Sequence, residues 1–347
     1  MIRTTLGVGV ASAVLLLALA AAEPSGVVTI ERLDPGFDRL VPRGTRAERV
    51  AGGFAWVEGP VWDAASGALL FSDVPNNVIH RWSEAGGVTT ELKASGYSGP
   101  VPFSGREPGS NGLAFDSRGR LLICRHGDRR VVRREIDGTL TVLADRYQGR
   151  RLNSPNDLIV RPNGDIWFTD PVFGLPGLAN DPGKELSFQG VYRLTPDGTL
   201  TAMVTDLEGP NGIGFSPDGR TLYVSNSDPR HPGWMAYPVD EDGTVGAGRQ
   251  FADAAPFMKP GGGACDGLEV DEEGNVWAAG PGGVHVFAPD GRRFGRIVTG
   301  VKTGNLAFGG DGSVLYIAAG HDLVRLATGV RGLMAASGPA TDTQTGQ

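Results

Sequence analysis

The sequence predicts an all-β protein, a six-bladed β-propeller with four antiparallel strands per blade. Three observations carry this. One phrase recurs six times, opening at positions 58, 111, 156, 211, 266 and 305, and self-similarity on that scale marks a repeated supersecondary unit. Gly 54 and Pro 24 among 347 residues, without a collagen period, fit many tight turns between short strands. No long stretch carries a helical period, and only the first residues run without turn punctuation.

The phrases are Glu58-Gly-Pro-Val-Trp-Asp, Asn111-Gly-Leu-Ala-Phe-Asp, Asn156-Asp-Leu-Ile-Val-Arg, Asn211-Gly-Ile-Gly-Phe-Ser, Asp266-Gly-Leu-Glu-Val-Asp and Asn305-Leu-Ala-Phe-Gly-Gly. Each passes through a glycine-bearing turn into an apolar strand: ALLFSD, RLLICRH, DIWFTD, RTLYVSN, NVWAAG or SVLYIAA. A more polar pair follows, as in VVRREIDGTLTVLAD and GVYRLTPDGTLTAMVTD, and Asp-Gly between alternating segments is a strong hairpin signal. Four strands per unit make a propeller blade. The sixth unit lacks room for its outer strand. Arg46-Ala-Glu-Arg-Val-Ala matches the strand that precedes the other phrases, so an N-terminal strand is expected to close the last blade and remove the open edge.

The propeller is therefore assigned to residues 46–330. Residues 1–22 have a basic start, an apolar run and a small-residue end at Ala20-Ala21-Ala22, the layout of a cleaved secretory signal. Residues 23–45 form an N-terminal extension and 331–347 a flexible C-terminal tail. An exported protein, periplasmic or secreted, is expected, with no membrane attachment after cleavage. The loops at 93–110 and 171–189 are long and rich in Gly and Pro, and are read as rims of a substrate entrance. Cys124 and Cys265 lie in or beside inner strands of different repeats and are expected to be two buried thiols.

The formal net charge is −7, and loss of the leader removes only one charged residue, Arg3. An acidic chain without a basic run is a poor partner for nucleic acid or anionic membrane. A small neutral ligand or a cation suits it better. No H-E-x-x-H, G-x-S-x-G, Walker loop or dinucleotide fingerprint occurs.

The innermost strand of every propeller blade lines a central tunnel, so the phrases place Glu58, Asn111, Asn156, Asn211, Asp266 and Asn305 in one ring. Asn-Gly and Asp-Gly could merely start a turn. However, each strand already has its own turn later in the phrase, such as Pro217-Asp218-Gly219. Two acids in a narrow tunnel would also repel unless a cation lies between them. Carboxylate and amide oxygens suit a hard ion such as Ca2+, with Zn2+, Mg2+ and Mn2+ left open. His126 ends an inner strand and is as well suited to packing as to touching substrate.

In order, EGPVW, SGREPGSNGLAFD, CRHGDRRVVR, NSPNDLIVRPNGDIWFTDP, KELSFQGVYR, GPNGIGFSPDGRTLYVS and CDGLEVDEEGNVW resemble the senescence-marker-protein/gluconolactonase/luciferin-regenerating family, and its bacterial gluconolactonase branch. The similarity runs from about Val50 to Arg325. It implies a six-bladed propeller with one divalent ion in the tunnel, held by Glu58, Asn211 and Asp266. Asn156 resembles a residue that reaches the metal in some members and the substrate in others, and Asn111 and His126 resemble substrate-side lining. Some relatives carry an arginine two residues before the position of Asn156. Ser154 stands there, and Arg106 or Arg151 could substitute.

The implied reaction is hydrolysis of an aldonolactone such as gluconolactone. The cation polarises the lactone, and water attacks with Asp266 as general base or, alternatively, as a cation-bound hydroxide. Two other readings stay open: an arylesterase or phosphotriesterase on the same metal site, favoured by aromatic rim walls, and a non-catalytic binding propeller. Tyr97, Phe103, Phe173 and Phe188 lie in or beside the rim loops. A closed ring of this size needs no partner, so a monomer or simple homodimer is expected.

Overall fold

The computed structural model describes residues 28–333. The expected leader at 1–22 lies outside them, as does most of the tail. Six antiparallel sheets, each a blade, follow one another along the chain. Blade one comprises Val57–Asp63, Ala68–Asp73, Val78–Ser83 and Gly87–Lys93. The innermost strands of blades two to six are Ser110–Phe115, Leu158–Val160, Pro210–Phe215, Leu268–Val270 and Asn305–Gly309.

Glu48–Gly52 pairs antiparallel with Asp322–Ala327 and completes blade six. The ring is tied shut as the sequence predicts. Blade five departs from the four-strand rule. Thr29–Arg32 pairs with Arg293–Val298 and adds a fifth, outermost strand. The short helix Phe37–Leu40 follows, and Phe37, Leu40 and Val41 are wholly buried against Trp277, Phe294 and Ile297. Residues 28–41 of the N-terminal extension are thus part of the packed body between blades five and six.

The second strand of each blade is buried along nearly its whole length, as in Ala68–Asp73 and Val276–Gly280. This is why those segments read as continuous apolar runs. Aromatic pairs weld neighbouring blades: Trp167 meets Phe215 edge-on at 5.2 Å, Trp277 meets Phe308 at 5.5 Å, and Trp62 stacks on Tyr316 at 5.7 Å. The expected turn glycines Gly119, Gly164, Gly219 and Gly274 all have positive φ, a conformation that other residues adopt with strain. Cys124 and Cys265 are free, buried thiols in separate clusters. No helix among the described residues is long and apolar enough to cross a membrane.

Candidate active site

Each innermost strand begins with an irregularity that aims side chains at the tunnel. In blade three the Asn156 N–H donates to Thr169 O at 2.8 Å, and the Thr169 N–H donates to Asp157 O at 2.9 Å. Two residues thus oppose one, which is a β-bulge and bends the strand. Blade five repeats it, with Asp266 N to Ala279 O at 3.0 Å and Ala279 N to Gly267 O at 2.8 Å. Pairing also shifts between Glu58 and Val61, Ser110 and Leu113, and Pro210 and Ile213.

The glycine after four of the opening residues, Gly59, Gly112, Gly212 and Gly267, is there for closeness to the next blade. A Cβ on Gly59 would stand 2.0 Å from Asn111 O, and one on Gly212 would stand 2.4 Å from Asp266 O. The Gly112 N–H donates to Asn156 O at 2.7 Å, and the Gly267 N–H donates to Gly304 O at 2.8 Å. Neighbouring blades therefore touch, backbone to backbone, at the positions that carry the candidate ligands.

The sixth phrase needs a correction of one residue. Gly304, not Asn305, donates to Ala318 O (3.0 Å) and takes the register of Asp266. Asn305 takes the register of Asp157, and the two behave alike. Asp157 Oδ1 accepts from Leu158 N at 2.9 Å and Asn305 Oδ1 accepts from Leu306 N at 2.8 Å. Each also lies over the glycine of the preceding blade, Gly112 or Gly267. The opening ring is thus Glu58, Asn111, Asn156, Asn211 and Asp266, with Gly304 in the sixth place. A Cβ on Gly304 would stand 2.4 Å from Glu58 Oε1, so the empty place gives Glu58 its room.

Electrostatics draw the ring together. Glu58 is buried; its Oε1 accepts from Trp56 Nε1 at 3.2 Å and its Oε2 from Gly59 N at 3.1 Å. Burial pushes its carboxyl up to about 8, helped by the charges of Asp157 and Glu107. Asp266 sits deep in the ring but is partly open to a cavity. Burial first, then the charge of Glu58, hold it well above the usual aspartate range, while a hydrogen bond from Asn211 opposes the rise. Among the described residues neither acid makes an ion pair with a basic side chain. Like charges this close cannot both ionise without a proton or a cation between them.

The amides complete an oxygen-rich set. Asn211 Nδ2 donates to Ser227 Oγ at 3.1 Å and the same NH2 serves Asp266, which leaves Oδ1 to accept. Asn111 Oδ1 is buried with no hydrogen-bond partner, an unmet acceptor that calls for a ligand. Among the described residues no three His, Cys, Asp or Glu side chains form a metal-ligating group. The set is instead two carboxylates with carbonyl amides, and it fits a hard dication better than zinc.

His126 is wholly buried. Its Nε2 lies 3.3 Å from Asn156 Nδ2, and its Nδ1 lies 3.2 Å from Glu107 Oε2, in ion-pair range but off hydrogen-bond geometry. Ser154 is committed to the 171–189 loop: its Oγ donates to Pro171 O at 2.6 Å and accepts from Gly174 N at 3.0 Å. Gly174 in turn lies against His126, where a Cβ would come within 2.6 Å. That loop is a roof over His126 and Ser154. Arg151 donates to Asp128 O at 3.3 Å and does not reach the cavity wall, whereas Arg106 does.

The cavity holds about 580 Å³ and has Trp56, Arg106, Glu107, Lys259, Asp266 and Lys302 in its wall. The 93–110 loop therefore contributes Arg106 and Glu107 to an entrance, as expected. Its aromatics, Tyr97 and Phe103, pack on each other at 5.1 Å and line a neighbouring hollow. Phe188 packs on Tyr147 and Tyr192.

Asp157, Glu107, Trp56 and Glu269 escaped the sequence reading. Burial pushes Asp157 up to about 7, and burial with the charge of Asp157 pushes Glu269 up to about 8. One signal pointed to Asp157: it is an acid where four sister phrases have glycine.

Residues 56–321 match the SMP-30/Gluconolactonase/LRE-like region. The chain belongs to that family. It is 38% identical over 311 residues to a gluconolactonase of Zymomonas mobilis, covering 88% of this chain and 87% of that one. The solved structure of a gluconolactonase from Xanthomonas campestris matches with a TM-score of 0.75 at 34% identity, over 88% of this chain and 99% of that one. A calcium-binding regucalcin from Agrobacterium tumefaciens matches with a TM-score of 0.64 at 25% identity, over 82% and 96%.

Proposed function

We propose that this protein is a lactonase that opens aldonolactones to the free hydroxy acids with the help of one bound divalent cation, calcium in the first place. Lactone hydrolysis is supported by the gluconolactonase relatives, which the chain matches over most of its length. The observation that carries the finer reading is the mutual repulsion of two acids, the buried Glu58 and the cavity-lining Asp266, neither of which makes an ion pair among the described residues. The calcium-binding relative agrees with it.

Glu58, Asn156, Asn211 and Asp266 would hold the ion. A dication held there would supply Lewis-acid polarisation of the lactone ester and so favour attack at its carbonyl carbon. The remaining work falls to the chain. Trp56 and Gly59 fix both oxygens of Glu58. His126 fixes the amide nitrogen of Asn156 and leaves its carbonyl to accept, and Asn111 Oδ1 is an unmet acceptor for a sugar hydroxyl. Asp266 takes a proton from the attacking water as its oxygen bonds to the carbonyl carbon. The ring C–O bond then breaks, and the departing alkoxide takes the proton back from Asp266 to become the hydroxyl of the product. Burial keeps Asp266 a stronger base than an exposed aspartate, and a neighbouring dication draws that basicity back toward neutral pH.

The cavity wall favours a sugar lactone over an aryl ester. Trp56 is the aromatic in its wall, while Tyr97 and Phe103 line a separate hollow and Phe188 packs on Tyr192. The leader-like start supports an exported enzyme, which N-terminal sequencing of the mature chain would check. The activity itself is tested by following acid release from gluconolactone in a pH-stat. Hydrolysis should vanish on chelation and return with calcium. Hydrolysis indifferent to chelation would overturn the cation-dependent reading.

A further inference from the structure

Three segments far apart in the chain bring cations to the mouth of the same cavity. Arg106 comes from the 93–110 loop, Lys259 from the turn after Ala255–Phe257, and Lys302 from the link into blade six; all three are exposed and line the wall that includes Asp266. Among the described residues none of the three side chains makes an ion pair or hydrogen bond. Elsewhere the basic side chains are mostly matched: Arg81 pairs with Asp63 and Glu91, and Arg325 with Glu48 and Glu84. The chain has only four lysines and a net charge of −7, yet two of those lysines stand here.

The acids of the cavity do not answer them. Glu107 is turned toward His126 at 3.2 Å, and Asp266 is engaged by Asn211. A neutral sugar filling this mouth would strip water from three cations and offer only hydroxyls in return, which is costly for charged groups. An anion would be drawn in by the same field and then paired.

We propose that the preferred substrates are lactones bearing an anionic group, carboxylate or phosphate, at the end remote from the ring carbonyl, with Arg106, Lys259 and Lys302 as the residues that select it. The inference rests on the lactonase reading and deepens it: Asp266 and its ring act on the ester, while the rim reads the far end of the molecule. Lys259 and Lys302 are specificity determinants and take no part in bond breaking.

The test compares kcat/KM of the full chain, with calcium present, for gluconolactone, a glucarolactone with a second carboxylate, and a phosphorylated gluconolactone. At low ionic strength at least one anionic lactone should be preferred by about tenfold or more, and the preference should shrink as salt is added. The two anionic substrates distinguish carboxylate from phosphate. Lys259→Glu/Lys302→Glu should lower the anionic-to-neutral ratio by roughly a hundredfold, since each site turns attraction into repulsion, while Lys259→Arg/Lys302→Arg should keep it. Gluconolactone turned over as well as both anionic lactones, or a ratio unmoved by the Glu variant, would overturn the inference and leave the lactonase reading standing. No hydrolysis of any of the three would overturn both.

Discussion

Asn156 Nδ2 stands 3.3 Å from His126 Nε2, and this pairing sets the sense of both side chains. An amide nitrogen can only donate, so Nε2 accepts and the imidazole proton resides on Nδ1, facing Glu107. The carbonyl of Asn156 is thereby left free to accept. His126→Ala should free the amide to rotate and lower cation affinity by about tenfold or more, the usual cost of losing a group that orients a ligand. Calorimetric titration with calcium checks it; unchanged affinity would show that Asn156 needs no such support.

The acid pair predicts a pH dependence of stability in chelator-treated protein. Glu58 is raised from an ordinary 4.5 to about 8 in the folded chain, so between those values the native state holds protons that the unfolded chain has lost. Its stabilising contribution is complete below about pH 4.5 and fades as pH rises through about 8. Urea midpoints should therefore fall across that window, and saturating calcium should reduce the slope to the part that Asp157, Asp170 and Glu269 contribute. A slope undiminished by calcium would place its origin in those other acids.

Two glycines separate the ring's architecture from its chemistry. Gly59→Ala sets a Cβ against the Asn111 backbone at 2.0 Å, at φ +48°, and backbone cannot step aside; a loss of about 3 kcal/mol or failure to fold is expected. Gly304→Ala meets the far end of Glu58 at 2.4 Å, which can shift. That variant should keep most of its chelated stability and lose calcium affinity by about tenfold. Equal effects on both quantities would contradict the assignment.

Much of this was legible in the sequence because the strands repeat. The phrases at 58, 111, 156, 211 and 266 lead straight to the ring, and Glu48–Gly52 closes blade six as its match to the other outer strands required. Two things were hidden by the bulges. A bulge puts two consecutive residues on one side, so a reading in strict alternation passes over Asp157. In the sixth phrase it assigns to Asn305 the place held by Gly304. Glu107 reaches His126 from a loop without periodicity, so nothing local announces it. The fifth strand of blade five went unread because residues 29–32 gain their meaning only from pairing with 295–298.

The extension that supplies that strand should matter to stability and not to chemistry. Phe37 is wholly buried between blades five and six, and Phe37→Ala should cost about 3 kcal/mol. Chemical denaturation with and without calcium reads it. A change of less than about 1 kcal/mol would mean that the extension rests on the ring without holding it.

The central claim is that Glu58 and Asp266 grip one shared dication. It is tested most directly by titrating calcium into the chelated wild-type chain, Glu58→Gln and Asp266→Asn in a calorimeter. The expected result is a single site in the wild type and none in either variant, each of which should still melt cooperatively. Wild-type affinity retained by both variants would contradict the claim.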